Sequence, residues 1–116
     1  MRDRDITVLM KVVQYADEIG ETITALDLNL EKFRSTHIAR NAIAMCILQI
    51  GELAGNLTDE FKATYDKMPW REIVALRNRA AHAYGTVDLD MLWQMAVHRV
   101  PELKAYCESV IKENEK

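Results

Sequence analysis

Thr36-His37-Ile38-Ala39-Arg40-Asn41-Ala42-Ile43-Ala44-Met45-Cys46-Ile47-Leu48-Gln49-Ile50-Gly51-Glu52-Leu53-Ala54-Gly55-Asn56-Leu57 decides the fold class. Ser35 or Thr36 supplies an N-cap, and the run that follows holds no proline for over twenty residues. Plotted at 100° per residue, Ile38, Ala42, Ile43, Met45, Cys46, Ile47, Leu48, Ile50, Leu53, Ala54 and Leu57 wrap most of the circumference. A helix that is apolar nearly all round belongs at the centre of a bundle. Asn41, Gln49, Glu52 and Asn56 form one narrow polar stripe along it. Gly51 in the interior costs about 1 kcal/mol relative to Ala, and a close helix crossing at that point is the expected reason.

Outward from this segment the same three- and four-residue period recurs. Ile6, Leu9, Met10, Val13, Ala16, Ile19 and Ile23 predict an amphipathic helix from about Asp5 to Thr22. Leu26, Leu30 and Phe33 predict a short helix within Ala25 to Arg34. Downstream, Thr58 caps a short helix through Tyr65, and Pro69 stands as the first residue of a helix that ends at Gly85. Asp88 caps the last helix, whose inner face carries Leu89, Leu92, Ala96, Val100, Leu103, Cys107 and Val110. Pro101 inside that pattern predicts a kink or break at Val100. The expected architecture is an all-α, up-and-down bundle of five or six helices in one domain, residues 1–116, with the methionines filling gaps in the core.

Composition agrees. Four Gly and two Pro make about 5% of 116 residues, well under the usual share of roughly 12%, which disfavours a sandwich or small barrel. The net charge of −3 excludes a broad non-specific grip on nucleic acid, because that affinity needs many phosphate-neutralising cations. A local basic site is not excluded. Cys46 and Cys107 do not make a disulfide framework and read as reduced, partly buried thiols. His37 and His98 have no ligand spacing to either, so no zinc site is expected. Met1-Arg2-Asp3-Arg4-Asp5 is too charged to lead a signal peptide, and the longest apolar run, Ala42 to Leu48, is too short to span a bilayer. A cytoplasmic protein with no membrane partner is expected.

The chemistry is concentrated in Pro69-Trp70-Arg71-Glu72-Ile73-Val74-Ala75-Leu76-Arg77-Asn78-Arg79-Ala80-Ala81-His82-Ala83-Tyr84-Gly85. Trp70, Ile73, Val74, Arg77, Ala81 and Tyr84 fall on one side of this helix, which places Arg77 in the apolar stripe. An arginine there needs a carboxylate, a neighbouring subunit or a bound anion. Asn78 and His82 share a different flank with Arg71, roughly 100–140° round from Arg77. Helical geometry alone does not bring Arg77 and His82 together. A joint site needs a second subunit or a long reach by the arginine.

With its flanks, this segment resembles the HepT-like toxins of the HEPN superfamily, the ribonuclease partners of MNT-type minimal nucleotidyltransferases. The family signature of Arg, four residues, His, one residue, Tyr reads here Arg77-Asn78-Arg79-Ala80-Ala81-His82-Ala83-Tyr84. Pro69-Trp70-Arg71-Glu72-Ile73 precedes it, and Val87-Asp88-Leu89-Asp90, Trp93 and Pro101-Glu102-Leu103 follow. Arg40-Asn41, Ile50-Gly51-Glu52 and the opening Arg2-Asp3-Arg4-Asp5-Ile6 agree as well. The departures are Ala83, where the family often has Gly, and Ala80-Ala81, where larger apolar residues are common.

The resemblance implies a metal-independent endoribonuclease with no cofactor, acting on RNA and on tRNA in particular. It implies a homodimer whose two motifs line one cleft, with higher assembly on binding the nucleotidyltransferase antitoxin. Carried over, His82 serves as general base or acid at the ribose 2′-hydroxyl or the leaving oxygen, since imidazole takes and returns a proton near neutrality. Arg77 offsets charge on the phosphorane-like transition state. Asn78 positions the scissile phosphate or the imidazole. Tyr84 is the residue the partner modifies with AMP, adding charge and bulk at the cleft mouth.

Each residue also has a plainer reading. Arg77 alone reads as half of a structural ion pair, with Glu52 a candidate partner, and His82 as a histidine held by hydrogen bonds. Tyr84 alone is a helix-end aromatic, Trp70 and Trp93 are core or interface anchors, and Arg71 and Arg79 lie on a solvated face. Two alternatives therefore stand beside the nuclease: a non-catalytic HEPN module that binds nucleotide or scaffolds the nucleotidyltransferase, and a helical dimerisation protein.

Overall fold

In a computed structural model that describes residues 3–115, the chain is all-helical among the described residues. Met1, Arg2 and Lys116 lie outside them, and with them part of the charged opening motif. The elements are α1 (Asp3–Ala25), α2 (Leu30–Ser35), α3 (His37–Ala54), α4 (Asp59–Thr64), α5 (Trp70–Gly85), α6 (Leu89–Gln94) and α7 (Val100–Glu113). A π-helical turn, Met95–Arg99, joins α6 to α7, so these three run as one rod and the helical rods number six.

α3 packs on α1 along one side and on α5 along another, α7 lies against α1, and α6 closes on α5. Ile43, Ile47 and Ile50 of α3 are fully buried against Leu9 and Ile19 of α1, Ile73 and Leu76 of α5, and Leu103 of α7. The expectation of a central α3 holds for its inner face. Its outer face is open: Ile38 and Met45 are 69% and 54% exposed, so Met45, like Met10, is a surface residue and not core filler. Trp70 is buried against Phe61 and Tyr106 and donates Nε1–H to the Tyr65 carbonyl at 2.8 Å. Trp93 packs against Phe33 with the rings tilted by 42° and their centroids 5.2 Å apart, which fastens α2 to α6.

Local chemistry sets the boundaries. α1 runs through Gly20 to Ala25 and ends in a turn where Leu28 N–H bonds the Ile23 carbonyl and Asp27 adopts φ 49°. The second helix is therefore shorter than expected and starts at Leu30, capped by Asn29. α3 stops at Ala54 and not Leu57, because the next amides fall back to three-residue bonds, Asn56 to Leu53 and Leu57 to Ala54. Thr58 and Asp88 cap as expected, accepting from Phe61 and Met91 N–H. Pro69 is the cap and not the first helical residue: its ψ of 77° is not helical, while its carbonyl accepts from Glu72 and Ile73. Gly85 is the last residue of α5. The left-handed position that ends this helix is Val87, at φ 59°.

Pro101 acts one turn earlier than a simple break. It lacks the N–H that an α-helix would give to Val97, and the preceding turn widens to a π-helix in which Val100 N–H reaches Met95. Pro101 then sits in the first turn of α7, where no donor is missed. Asp5, fully buried, accepts from Thr58 N–H at 2.9 Å and Thr58 Oγ1–H at 2.8 Å, tying α1 to the cap of α4. Lys104 pairs with Asp17 at 2.6 Å across α7 and α1. Both cysteines are free and buried. No described helix is long and apolar enough to cross a membrane.

Candidate active site

The buried face of α5 is Trp70, Ile73, Leu76, Ala80 and Ala83. It is rotated from the expected stripe, and Arg77 is consequently not buried: its side chain is 49% exposed. The larger Val74 and Tyr84 drew the predicted stripe toward α3, whereas the alanines, with little hydrophobic weight, are what the core encloses. Val74 and Ala81 are half-buried at the α3 boundary. Arg77 emerges from the same boundary.

Gly51 fixes that boundary. A Cβ at Gly51 would lie 2.5 Å from the Arg77 backbone nitrogen and 2.8 Å from its Cβ. The close crossing expected from Gly51 is thus made with the backbone of the motif arginine itself. One residue on, Glu52 meets Arg77 Nε at 2.9 Å, so the candidate partner is the observed one. Arg77 Nη1 donates to Asn78 Oδ1 at 3.2 Å. The guanidinium is held from both sides, above a helix surface and in contact with water.

Asn78 and His82 are exposed, one turn apart on the outer face of α5, as the helical geometry predicts. Arg77 leaves toward α3 and reaches that face only through Asn78. Tyr84, 43% exposed, donates its hydroxyl hydrogen to Asn41 Oδ1 of α3. Asn41 lies between Ile38 and Met45 on the open face of α3, so Tyr84 borders an exposed apolar surface. Asn41 as the tyrosine's partner was not foreseen, although its place in the polar stripe of α3 was. Arg71 and Arg79 are exposed, and Arg79 lines a pocket of about 310 Å³ with His98, Arg99 and Glu102. The described residues hold no group of three His, Cys, Asp or Glu placed to bind a metal.

Comparison with known proteins adds a chemical identity to this geometry. The family described as Ribonuclease HepT-like matches residues 12–110. A protein of Methanocaldococcus jannaschii named "Putative RNase" is 28% identical over 116 residues, covering 99% of this chain and 98% of that one. "Probable ribonuclease HepT" of Thermococcus cleftensis is 29% identical over 103 residues, covering 84% of this chain and 94% of that one. No solved structure matches.

Proposed function

We propose, for a chain that belongs to the HepT-like ribonuclease family, that Arg77, Asn78 and His82 form the active site of a metal-independent endoribonuclease acting on RNA, tRNA foremost. The reaction class comes with the family, and the helical bundle is of the HEPN type. The observation that carries the site is the surface of α5: Arg77, Asn78 and His82 all reach solvent on one helix, whose Tyr84 borders the exposed Ile38 and Met45 of α3 through Asn41. An apolar face next to polar reactive groups fits a second copy of the chain, and pairing about a two-fold brings two motifs to one cleft.

In that cleft a ribose 2′-oxygen attacks the neighbouring phosphorus and the bond to the 5′-oxygen breaks. His82 takes the 2′-proton or returns one to the leaving oxygen. Arg77 carries a fixed positive charge to the oxygens that gain negative charge, and Asn78 holds the guanidinium while its amide N–H groups stay available for the phosphate. The products are a 2′,3′-cyclic phosphate and a 5′-hydroxyl, and DNA, lacking the attacking group, is inert.

Tyr84 at the edge of this surface suits control by a nucleotidyltransferase partner in a toxin–antitoxin pair. Its hydroxyl oxygen would attack the α-phosphorus of ATP, pyrophosphate would leave, and the phenolic proton would pass to a base. The resulting phosphodiester adds charge and bulk two residues from His82. If Tyr84→Phe is still fully silenced by the partner, this control does not act through Tyr84.

The deciding experiment is purified, partner-free protein with total tRNA in excess EDTA, beside His82→Ala and Arg77→Ala, with end-group analysis. Cutting that both variants abolish, with cyclic phosphate ends, is expected. Cutting that survives His82→Ala places the chemistry elsewhere. The Arg77–Glu52 pair favours one rival, a plain helical dimerisation protein in which the arginine is structural. That rival requires Arg77→Ala to lower the melting midpoint sharply and folded wild type to leave tRNA intact.

A further inference from the structure

Glu52 is an acidic side chain, 60% exposed, on a surface proposed to receive a polyanion. On electrostatic grounds alone it should weaken RNA binding there. A surface ion pair also adds little to stability, so the fold gives it no strong reason to be present. Its geometry supplies another reason. The Glu52 carboxylate forms an ion pair with Arg77 at Nε, 2.9 Å away, Asn78 accepts from Arg77 Nη1, and Nη2 has no partner among the described residues. The guanidinium is thereby held between the carboxylate of α3 and the amide of Asn78, with Nη2 left for another anion. Gly51, in contact with the Arg77 backbone, sets the height of α3 against α5, so the Glu52 carboxylate and the arginine stem are in register.

We propose that Glu52 is a positioning residue for the ribonuclease reaction: it orients the Arg77 guanidinium toward the scissile phosphate without touching the RNA. The inference rests on the active-site reading given above. An arginine free to rotate samples many rotamers, and small misplacement of a charge-stabilising group costs rate far more than binding. Removing Glu52 also removes a repulsive charge. The two effects oppose each other in KM and reinforce nothing in kcat, which gives the role a signature that a structural residue lacks.

The test is steady-state cleavage of a defined RNA by wild type, Glu52→Ala, Glu52→Gln, Arg77→Ala and the double variant Glu52→Ala/Arg77→Ala, with melting curves for each. Glu52→Ala is expected to lower kcat about tenfold or more with KM unchanged or reduced. Glu52→Gln, which keeps the shape but not the charge paired with Arg77, is expected to fall between wild type and Glu52→Ala in kcat at the same reduced KM. In the Arg77→Ala background, Glu52→Ala lowers the residual rate no further, while KM still falls because the repulsive charge is gone. Unchanged kcat in folded Glu52→Ala overturns the proposal, and so does an equal loss on both arginine backgrounds. Inert wild type, or full activity of Arg77→Ala, overturns the active-site reading itself and is seen before Glu52 is considered.

Discussion

Gly51 of α3 and Arg77 of α5 are in backbone contact: a Cβ on the glycine would stand 2.5 Å from the arginine's amide nitrogen and 3.0 Å from its Cα. The helix that carries the proposed chemistry is therefore seated directly on the central helix at the residue that supplies the charge. Gly51→Ala must push the two helices apart, since the obstructing atoms are backbone and cannot turn aside. A loss of about 1–3 kcal/mol is expected, a fall of several degrees in melting midpoint. Gly20 gives the opposite sign. It lies inside α1 with nothing within 4 Å of a Cβ, so Gly20→Ala should stabilise by about 0.5–1 kcal/mol. Thermal unfolding of the pair reads both, and a stable Gly51→Ala would mean that the contact is not obligatory.

Asp5 supports a second junction. Its buried carboxylate receives two hydrogen bonds from Thr58, whose own hydroxyl oxygen accepts from Phe61 N–H. Asp5→Ala strands the Thr58 amide and loosens the cap of α4, a cost of about 2–3 kcal/mol. Asp5→Asn keeps an oxygen for the amide and offers an N–H to the hydroxyl oxygen, so its cost should be about 1 kcal/mol or less. Denaturant midpoints at neutral pH compare the two, and equal losses would show that charge, not hydrogen bonding, is what Asp5 provides.

Much of this fold was legible because long helices write their period into the sequence. The inner face of the last helix, the caps at Thr58 and Asp88, and the crossing at Gly51 all follow from spacing and residue type. The orientation of α5 was not, because its buried face is built partly from Ala80 and Ala83, which carry almost no hydrophobic signal. Arg77 shows the related limit. Periodicity reports where Cα points, while a long side chain can leave an apolar stripe and deliver its charge to water. Spacing did place Asn78 and His82 on one face, yet the bonds of Arg77 to Glu52 and of Tyr84 to Asn41 are contacts between helices that no local pattern encodes.

Val87 holds a left-handed backbone at φ 59°, two residues beyond Gly85, while Asp88 N–H bonds the Ala83 carbonyl to finish α5. That conformation costs a side-chain-bearing residue about 1–2 kcal/mol, and a β-branched one most of all. Val87 is 66% exposed, so little packing offsets the strain. Val87→Gly should raise stability by about 1 kcal/mol, net of the entropy that glycine adds to the unfolded chain. No gain in melting midpoint would show that the valine is not held in this conformation in solution.

The buried thiols make stability fall at alkaline pH. Burial, with a smaller contribution from Glu108, pushes Cys107 up to about 12, and burial with Glu18 raises Cys46 to about 11. In the unfolded chain both ionise near pH 8.5. Below that pH the thiols are protonated in both states and contribute no slope. Above it the unfolded chain binds fewer protons than the native one, so stability falls as pH rises, until the native thiols ionise at about 11 and about 12. For Cys107 the loss between pH 8 and pH 10.5 is on the order of 2–3 kcal/mol. Urea unfolding of wild type and Cys107→Ala at the two pH values isolates it: the variant should lose less by that amount, whatever its stability at pH 8. Parallel losses in the two proteins would mean that Cys107 ionises as readily in the native state as in the unfolded one.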